Sequence, residues 1–285
     1  GKHLGRVEID AVNRGPKAVA REGGIAEWKL NKLTITEPEA TFTATGNWAV
    51  PGAQAAAAGA AAASASAPEP ARRTTLNFTL DMKDSGALLT RFGMKGVIAG
   101  GKGTMQGQVA WTGSPFTLDY PTMDGQFHVN IDSGQFLKAD PGLAKLLGVL
   151  SLQSLPRRLT LNFKDVFSDG FSFDFVRGDV KITHGIAATN NLQMKGVSAA
   201  VLMDGQADLA RETQNIRVVV VPELNAGTAS LIATVINPAI GLGSFLAQYF
   251  LRRPLMEAAT QQFQIDGTWT DPKITKVENK TGAKP

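Results

Sequence analysis

The segment TTLNFTLDM, residues 74–82, alternates between apolar and polar side chains along its length. In an extended chain successive side chains point to opposite faces, so residues two apart share a face. The pattern therefore predicts a half-buried β-strand whose apolar face is formed by Leu76, Phe78 and Leu80.

The same alternation recurs in QFHVNID (126–132), RLTLNFK (158–164) and FSFDF (171–175). Gly, Asn and Asp-Gly separate the strand-like segments, which favours antiparallel pairing of consecutive strands. The sequence thus predicts a mainly β, antiparallel fold. The further apolar-face residues are Phe127, Val129, Ile131, Leu161, Phe163, Phe171, Phe173 and Phe175.

Short repeated motifs indicate that one strand-and-turn unit occurs several times in the chain. Met-x-Gly-Gln occurs at residues 105–108, 123–126 and 203–206. The spacings are irregular, so a solenoid of fixed period is not predicted.

Two short amphipathic helices interrupt the strands. DSGALLTRFG offers Asp84 as an N-cap and Gly93 as a C-terminal stop. ADPGLAKLLGVLSL offers Asp140 as an N-cap followed by Pro141, with an apolar stripe of leucines behind them.

Composition excludes several functional classes. The 285 residues contain no cysteine, which removes disulfides, thiolate catalysis and cysteine-based metal sites. A net charge of +4 without dense Lys/Arg clusters argues against nucleic acid as a partner. We expect the whole chain to be one β domain and a fragment of a longer protein, with a disordered Ala-rich loop at residues 51–70.

Residues typical of catalysis or cofactor binding form no recognisable motif. His3, His128 and His184 lie far apart, with no carboxylate at ligand spacing. GGKGTMQG, residues 100–107, lacks the Gly-Lys-Ser/Thr ending of a phosphate-binding loop, so a tight turn is favoured. We therefore predict no catalytic residue, no metal and no cofactor. A hydrolase whose carboxylates meet only after folding stays as an alternative.

The segment GQFLKADPGLAKLLGVLSLQSLPRRLTLNFKDVFSDGFSFDFVRGDVKITHG, residues 134–185, resembles the C-terminal region of YhdP-type members of the AsmA-like superfamily. Further similarity lies in LLTRFGMKGVIAGGKGTMQGQVAWTGSP (88–115), VVVVPELNAGTASLIATVINPAIG (218–241) and GTWTDPKI (267–274). The resemblance extends from about residue 74 to residue 277. The Ala-rich tract departs from it.

The resemblance implies a strongly curved β-groove within a periplasmic protein that an N-terminal helix anchors in the inner membrane. It implies a non-catalytic conduit for phospholipids between the inner and outer membranes of a Gram-negative envelope. The expected partners are phospholipid acyl chains, a membrane surface and envelope proteins. The apolar strand faces named above would line the groove, although a closed sandwich or barrel core explains their alternation equally well. The alternative function is an envelope scaffold or assembly factor that binds polypeptide at exposed strand edges.

Residues 224–251, LNAGTASLIATVINPAIGLGSFLAQYFL, contain no charged side chain, and Arg252 and Arg253 follow. Asn237 and Pro238 break this stretch, so the sequence favours a broken amphipathic segment over residues 224–253 rather than a membrane span. We expect it to dock on a membrane or cap the groove, with packing against the sheet as the alternative. The expected docking residues are Leu242, Phe245, Leu246, Tyr249, Phe250, Arg252 and Arg253.

Overall fold

The computed structural model describes residues 5–15, 27–50, 71–137, 171–196, 199–222, 236–252 and 254–277. These residues form one antiparallel sheet, as the alternation predicts. Its strands are β1 (Arg6–Arg14), β2 (Glu27–Thr36), β3 (Ala40–Ala49), β4 (Arg73–Met82), β5 (Ile98–Gly100), β6 (Gly103–Thr112), β7 (Asp124–Phe136), β8 (Phe171–Thr183), β9 (Ile186–Gly196), β10 (Ala199–Asp208), β11 (Thr213–Pro222), β12 (Gln261–Thr268) and β13 (Pro272–Val277).

The strands follow one another in chain order across the sheet, except that β5 pairs with the far end of β7. Strand β1 lies at one edge and β13 at the other, and the two do not pair. The fold is therefore an open sheet and not a closed barrel, within the part of the chain that the structure describes.

The helices are α1 (Ser85–Arg91), α2 (Gly241–Arg252) and α3 (Pro254–Ala259), and Tyr120–Thr122 forms a 3-10 turn. Helix α1 confirms the predicted capping: the Asp84 side chain accepts a hydrogen bond from the Ala87 N–H at 2.9 Å. Beyond its end, Gly93 adopts a φ of 98°, a backbone conformation that favours glycine. The second predicted helix, residues 139–152, and the Ala-rich tract lie outside the described residues.

Each face of the sheet has its own chemistry, because residues paired across neighbouring strands lie on the same face. One register row joins Ala44, Phe78, Gly107, Phe127 and Val180. We call the face that carries this row the apolar face. The next row joins Thr43, Thr79, Gln106, His128 and Asp179, and its face is the polar face.

Two buried clusters lie on opposite faces of the C-terminal strands. The apolar-face cluster consists of Phe173, Met194, Ala199, Val201, Val218, Val220, Phe263 and Ile265. On the opposite face, α2 and α3 pack over a patch of small and aliphatic side chains, which interrupts the polar character there. That cluster consists of Ala200, Leu202, Val219, Val221, Ile236, Leu242, Leu246, Tyr249 and Met256.

The repeated Met-x-Gly-Gln motif has the same structural role in each strand. Its glycines, Gly107, Gly125 and Gly205, lie on the apolar face in β6, β7 and β10. A Cβ atom at Gly107 would stand 2.2 Å from the carbonyl oxygen of Gln126, a separation that real Cβ atoms do not show. The glycines thus allow neighbouring strands to approach, and the following glutamine falls on the polar face.

Candidate functional site

Six of the residues predicted to line a groove share the apolar face. On β4 these residues are Leu76, Phe78 and Leu80. They pair with residues of β6, which in turn pair with residues of β7. All six are half-buried, so each keeps part of its side chain accessible. The β7 members are Phe127, Val129 and Ile131.

The apolar face continues well beyond these six residues. Register extends it outward to β1, where Val7 and Ile9 are 44% and 64% exposed, and across the remaining strands to Ile274 on β13. Members that sequence reasoning did not name include Leu33, Phe42, Met105, Val109, Val176, Val180, Ile182, Met203, Val218, Phe263 and Ile265. At most of these positions the alternation of apolar and polar residues is present, but over fewer residues than in the segments quoted above.

The sequence predicts that Phe171, Phe173 and Phe175 share one face, but the structure separates the last two. The pairing of β8 with β9 shifts by one residue between Phe173 and Phe175. Phe173 is only 2% exposed within the apolar-face cluster, and its ring lies 5.3 Å from that of Phe136. Phe175 turns to the opposite face, where the Arg177 guanidinium lies 4.0 Å above its ring.

The reason is the β-bulge, which inserts one residue and reverses the alternation that follows it. Phe173 is therefore a core residue in this structure and not an open lining residue. Phe171 pairs with Phe136 in the ladder. Leu161 and Phe163 lie outside the described residues.

A hydrogen-bonded network crosses the polar face between β7 and β9. His128 Nδ1 lies 3.0 Å from Asp179 Oδ1, and the Asn191 amide donates to the other oxygen of Asp179 at 2.7 Å. Arg177 donates to Gln193 at 3.3 Å, and partial burial lowers the pKa of its guanidinium from the ordinary value. Metal binding needs more ligands than this: the described residues contain no group of three His, Asp or Glu side chains placed to hold an ion.

A cavity of about 1140 Å³ is lined by residues of seven neighbouring strands, β2 to β4 and β6 to β9. So many strands can border one cavity only where the sheet curves towards it. On β4 the lining residues are the consecutive Asn77, Phe78 and Thr79, and β2, β3, β7 and β8 show the same triplet pattern.

In each triplet the two outer residues belong to the polar face and the middle residue to the apolar face. Such a triplet lines a cavity through two side chains and the backbone between them when the cavity lies on the polar face. The lining also includes Pro238, which follows two residues after Ile236 of the cluster on the helix-bearing face. The cavity is therefore on the polar face and is not the predicted apolar groove, and the sequence did not predict it.

Helix α2 packs the predicted docking residues Leu242, Leu246 and Tyr249 against β10 and β11. Packing against the sheet was the alternative interpretation of this segment. Phe245 and Phe250 are half-buried at the margin of the same cluster. Outward-facing residues of the segment are Ile240, Ser244, Gln248, Leu251 and Arg252, with Leu251 84% exposed. The side chain of Arg253 lies outside the described residues.

Three amide side chains of β9 fasten the chain that leads into α2. Asn190 donates to the Pro238 carbonyl at 2.7 Å, Asn191 donates to the Ile236 carbonyl at 3.2 Å, and Gln193 accepts from the Ile236 N–H at 3.4 Å. These bonds satisfy backbone groups before the helix begins at Gly241. In the described portion of the chain, no helix combines the length and apolarity needed to cross a bilayer.

Comparison with known proteins agrees with the resemblance noted from sequence motifs. A sequence profile of the family described as YhdP protein matches residues 1–274. The chain is 29% identical over 206 residues to the intermembrane phospholipid transporter YhdP of Escherichia coli (strain K12). That match covers 72% of this chain but only 16% of the relative's length. No solved structure matches the chain. With the profile match covering nearly all of its length, the chain belongs to the YhdP family.

Proposed function

We propose that this chain is a non-catalytic segment of a conduit that moves phospholipids between the inner and outer membranes of a Gram-negative envelope. In this proposal it lies in the periplasm as part of a longer protein anchored in the inner membrane. Acyl chains lie along the apolar face, and their headgroups remain in contact with water.

The observation that carries this proposal is the continuity of the apolar face. It runs in register from β1 to β13, and the six predicted lining residues on β4 and β7 are half-buried rather than sealed. An acyl chain on such a surface gains about 0.8 kcal/mol for each CH₂ group removed from water. The name of the Escherichia coli relative, an intermembrane phospholipid transporter, supports the same substrate class.

The two edges of the sheet differ in a way that suggests a direction for the conduit. At β1 the apolar face reaches the edge through Val7 and Ile9. At β13 Lys276 lies on the apolar face, paired with Phe263, so a charged side chain interrupts the apolar surface at that edge. We expect lipid to pass onto the sheet across β1 rather than across β13.

Contact with the outer membrane forms a second part of the proposal. Because Leu242, Leu246 and Tyr249 are covered by the sheet, docking would use the outward residues of the α2 segment, Leu251 and Arg252 above all. An exposed leucine beside a cation suits the boundary between acyl chains and anionic headgroups.

The test is mass spectrometry of material that co-purifies with the chain from a Gram-negative envelope. We expect phospholipid at a ratio that falls when Leu80, on the apolar face, is replaced by Asn. The matched control is Asp81→Asn, because Asp81 is the adjacent residue on the polar face. Bound polypeptide without phospholipid would instead indicate an assembly factor. Hydrolysis of an envelope substrate by the purified chain would contradict the non-catalytic assignment.

A further inference from the structure

A row of tryptophans closes the apolar face at one end of the strands. Trp28 on β2 pairs with Trp48 on β3, Trp48 pairs with Thr74 on β4, and Thr74 pairs with Trp111 on β6. Trp111 packs in the cluster of the apolar face that includes Leu76. The row thus lies where the apolar surface meets the rim of the sheet.

The loop after β6 holds an exposed aromatic ring next to this row. The buried indole N–H of Trp111 donates to the carbonyls of Ser114 and Thr117, at 3.0 and 2.9 Å. These bonds fix the loop on both sides of Phe116, which is 88% exposed, with its ring centroid 6.4 Å from that of Trp28. Phe116 is therefore presented by a fixed loop, and Trp28 is its aromatic neighbour.

A cation and an unsatisfied donor lie at the centre of the row. The Arg72 guanidinium lies 4.7 Å above the Trp48 ring. Nearby, Arg73 is already paired with Asp124 at 2.7 Å, whereas Arg72 forms no ion pair with a described residue. Trp48 Nε1 is buried and finds no acceptor among the described residues, which is unusual for a buried donor. An anionic group with oxygen acceptors would pair with the Arg72 guanidinium and also accept a hydrogen bond from Trp48 Nε1.

We infer that Trp28, Trp48, Arg72 and Phe116 form a rim site for the phosphate and glycerol-ester region of a phospholipid whose acyl chains lie on the apolar face. This inference rests on the proposed function and adds which end of the strands the lipid headgroups occupy. Tryptophan has an apolar body and one polar N–H, so it concentrates where acyl chains give way to headgroups. Arginine suits phosphate because its planar fork donates two parallel hydrogen bonds.

The site explains why the unsatisfied Trp48 N–H and the Arg72 guanidinium lie next to each other. A phosphate that draws Arg72 from the indole face places oxygen acceptors beside Trp48 Nε1. Phe116 and Trp28 then cover the first methylenes of the acyl chains, which continue down the apolar face towards Leu76 and Phe78. Headgroups would leave the sheet at the rim formed by the β6–β7 loop and not at the rim that carries α1.

The test uses the 285-residue chain with Trp269→Phe, which removes the one tryptophan of the four that lies outside the row. Tryptophan fluorescence is measured with phosphatidylethanolamine brominated either near the ester or near the terminal methyl of an acyl chain. We expect the ester-proximal bromines to quench more strongly. We also expect Arg72→Gln to weaken lipid binding about fivefold, as loss of a partly screened charge-assisted hydrogen bond would. Arg211→Gln is the control, because Arg211 lies on the same rim but is paired with Asp208.

The outcomes separate this inference from the proposed function. Absence of any lipid binding by the folded chain would overturn both. Binding with stronger quenching by the terminal bromines, or with Arg72→Gln equal to Arg211→Gln, would overturn the rim site alone. Equal affinity for water-soluble glycerophosphoethanolamine would show a site for free phosphate esters instead of a lipid rim. Melting temperatures of each variant verify that the chain remains folded.

Discussion

Replacing Phe78 by Ala tests whether the apolar face binds acyl chains. Phe78 lies in the row between Ala44 and Gly107, and its ring is 6.1 Å from that of Phe42. Full burial of a phenylalanine side chain is worth about 1.5–3 kcal/mol. Because Phe78 is half-buried in the empty sheet, a bound acyl chain covers roughly the other half, about 1 kcal/mol. We therefore expect Phe78→Ala to weaken phospholipid binding about fivefold.

The assay is a titration of the purified chain with a fluorescent phospholipid, together with thermal unfolding of each variant. Thr79→Ala is the matched control, because Thr79 is the next residue, faces the opposite side and lines the polar-face cavity. We expect Thr79→Ala to leave lipid affinity unchanged. Equal weakening by both substitutions, or no weakening by Phe78→Ala in a folded chain, would refute the assignment of acyl chains to this face.

Other substitutions test the packing, the electrostatics and the docking surface. Phe173→Ala should lower the free energy of unfolding by about 3–5 kcal/mol in a denaturant titration, because it empties a buried site; a loss under about 1 kcal/mol would show that the site is open. Hydrogen bonding from Arg91 lowers the pKa of Glu39, so ionised Glu39 stabilises the fold above its ordinary pKa of 4.5, and this contribution is lost as the pH falls through the lowered value. Glu39→Gln should therefore flatten the melting temperature between neutral and acid pH, and an unchanged slope would contradict this account. Leu251→Ser should reduce sedimentation with anionic liposomes without changing the melting temperature, whereas Leu246→Ser should lower the melting temperature; the reverse result would place the membrane contact on the buried stripe.

Strand identity and the composition of each face could be predicted from local sequence. Side-chain alternation is imposed by the extended backbone itself, so the spacing of Leu76, Phe78 and Leu80 was sufficient to place them together. The capping of α1 by Asp84 was also predictable, since the Asp84 carboxylate and the Ala87 N–H that donates to it are close in the chain.

Features that depend on contacts between distant segments were not predictable. The bulge that separates Phe173 from Phe175 arises from the pairing of β8 with β9, and the pairing shift leaves no mark in FSFDF itself. The apolar stripe of α2 fits a bilayer and a sheet equally well, and only the tertiary structure shows Leu246 against β10 and β11. The row of Trp28 and Trp48 likewise becomes visible only when the register is known.

The polar-face cavity could not be predicted from the sequence for a different reason. Alternation places Thr79 and His128 on the face opposite the apolar residues of their strands, and the structure has them on that face. Local pattern carries no information about the curvature that gathers such residues from seven strands into one cavity. Curvature is set by the twist and bulges of the whole sheet.

Site-specific photo-crosslinking in cells tests the central claim most directly. A photoreactive amino acid is placed at Val129 or at Asn130, two adjacent half-buried residues of β7 that lie on the apolar and polar faces respectively. The proposed conduit predicts crosslinked phospholipid at Val129 and little at Asn130. Capture of phospholipid at neither position, or equally at both, would contradict a conduit on the apolar face.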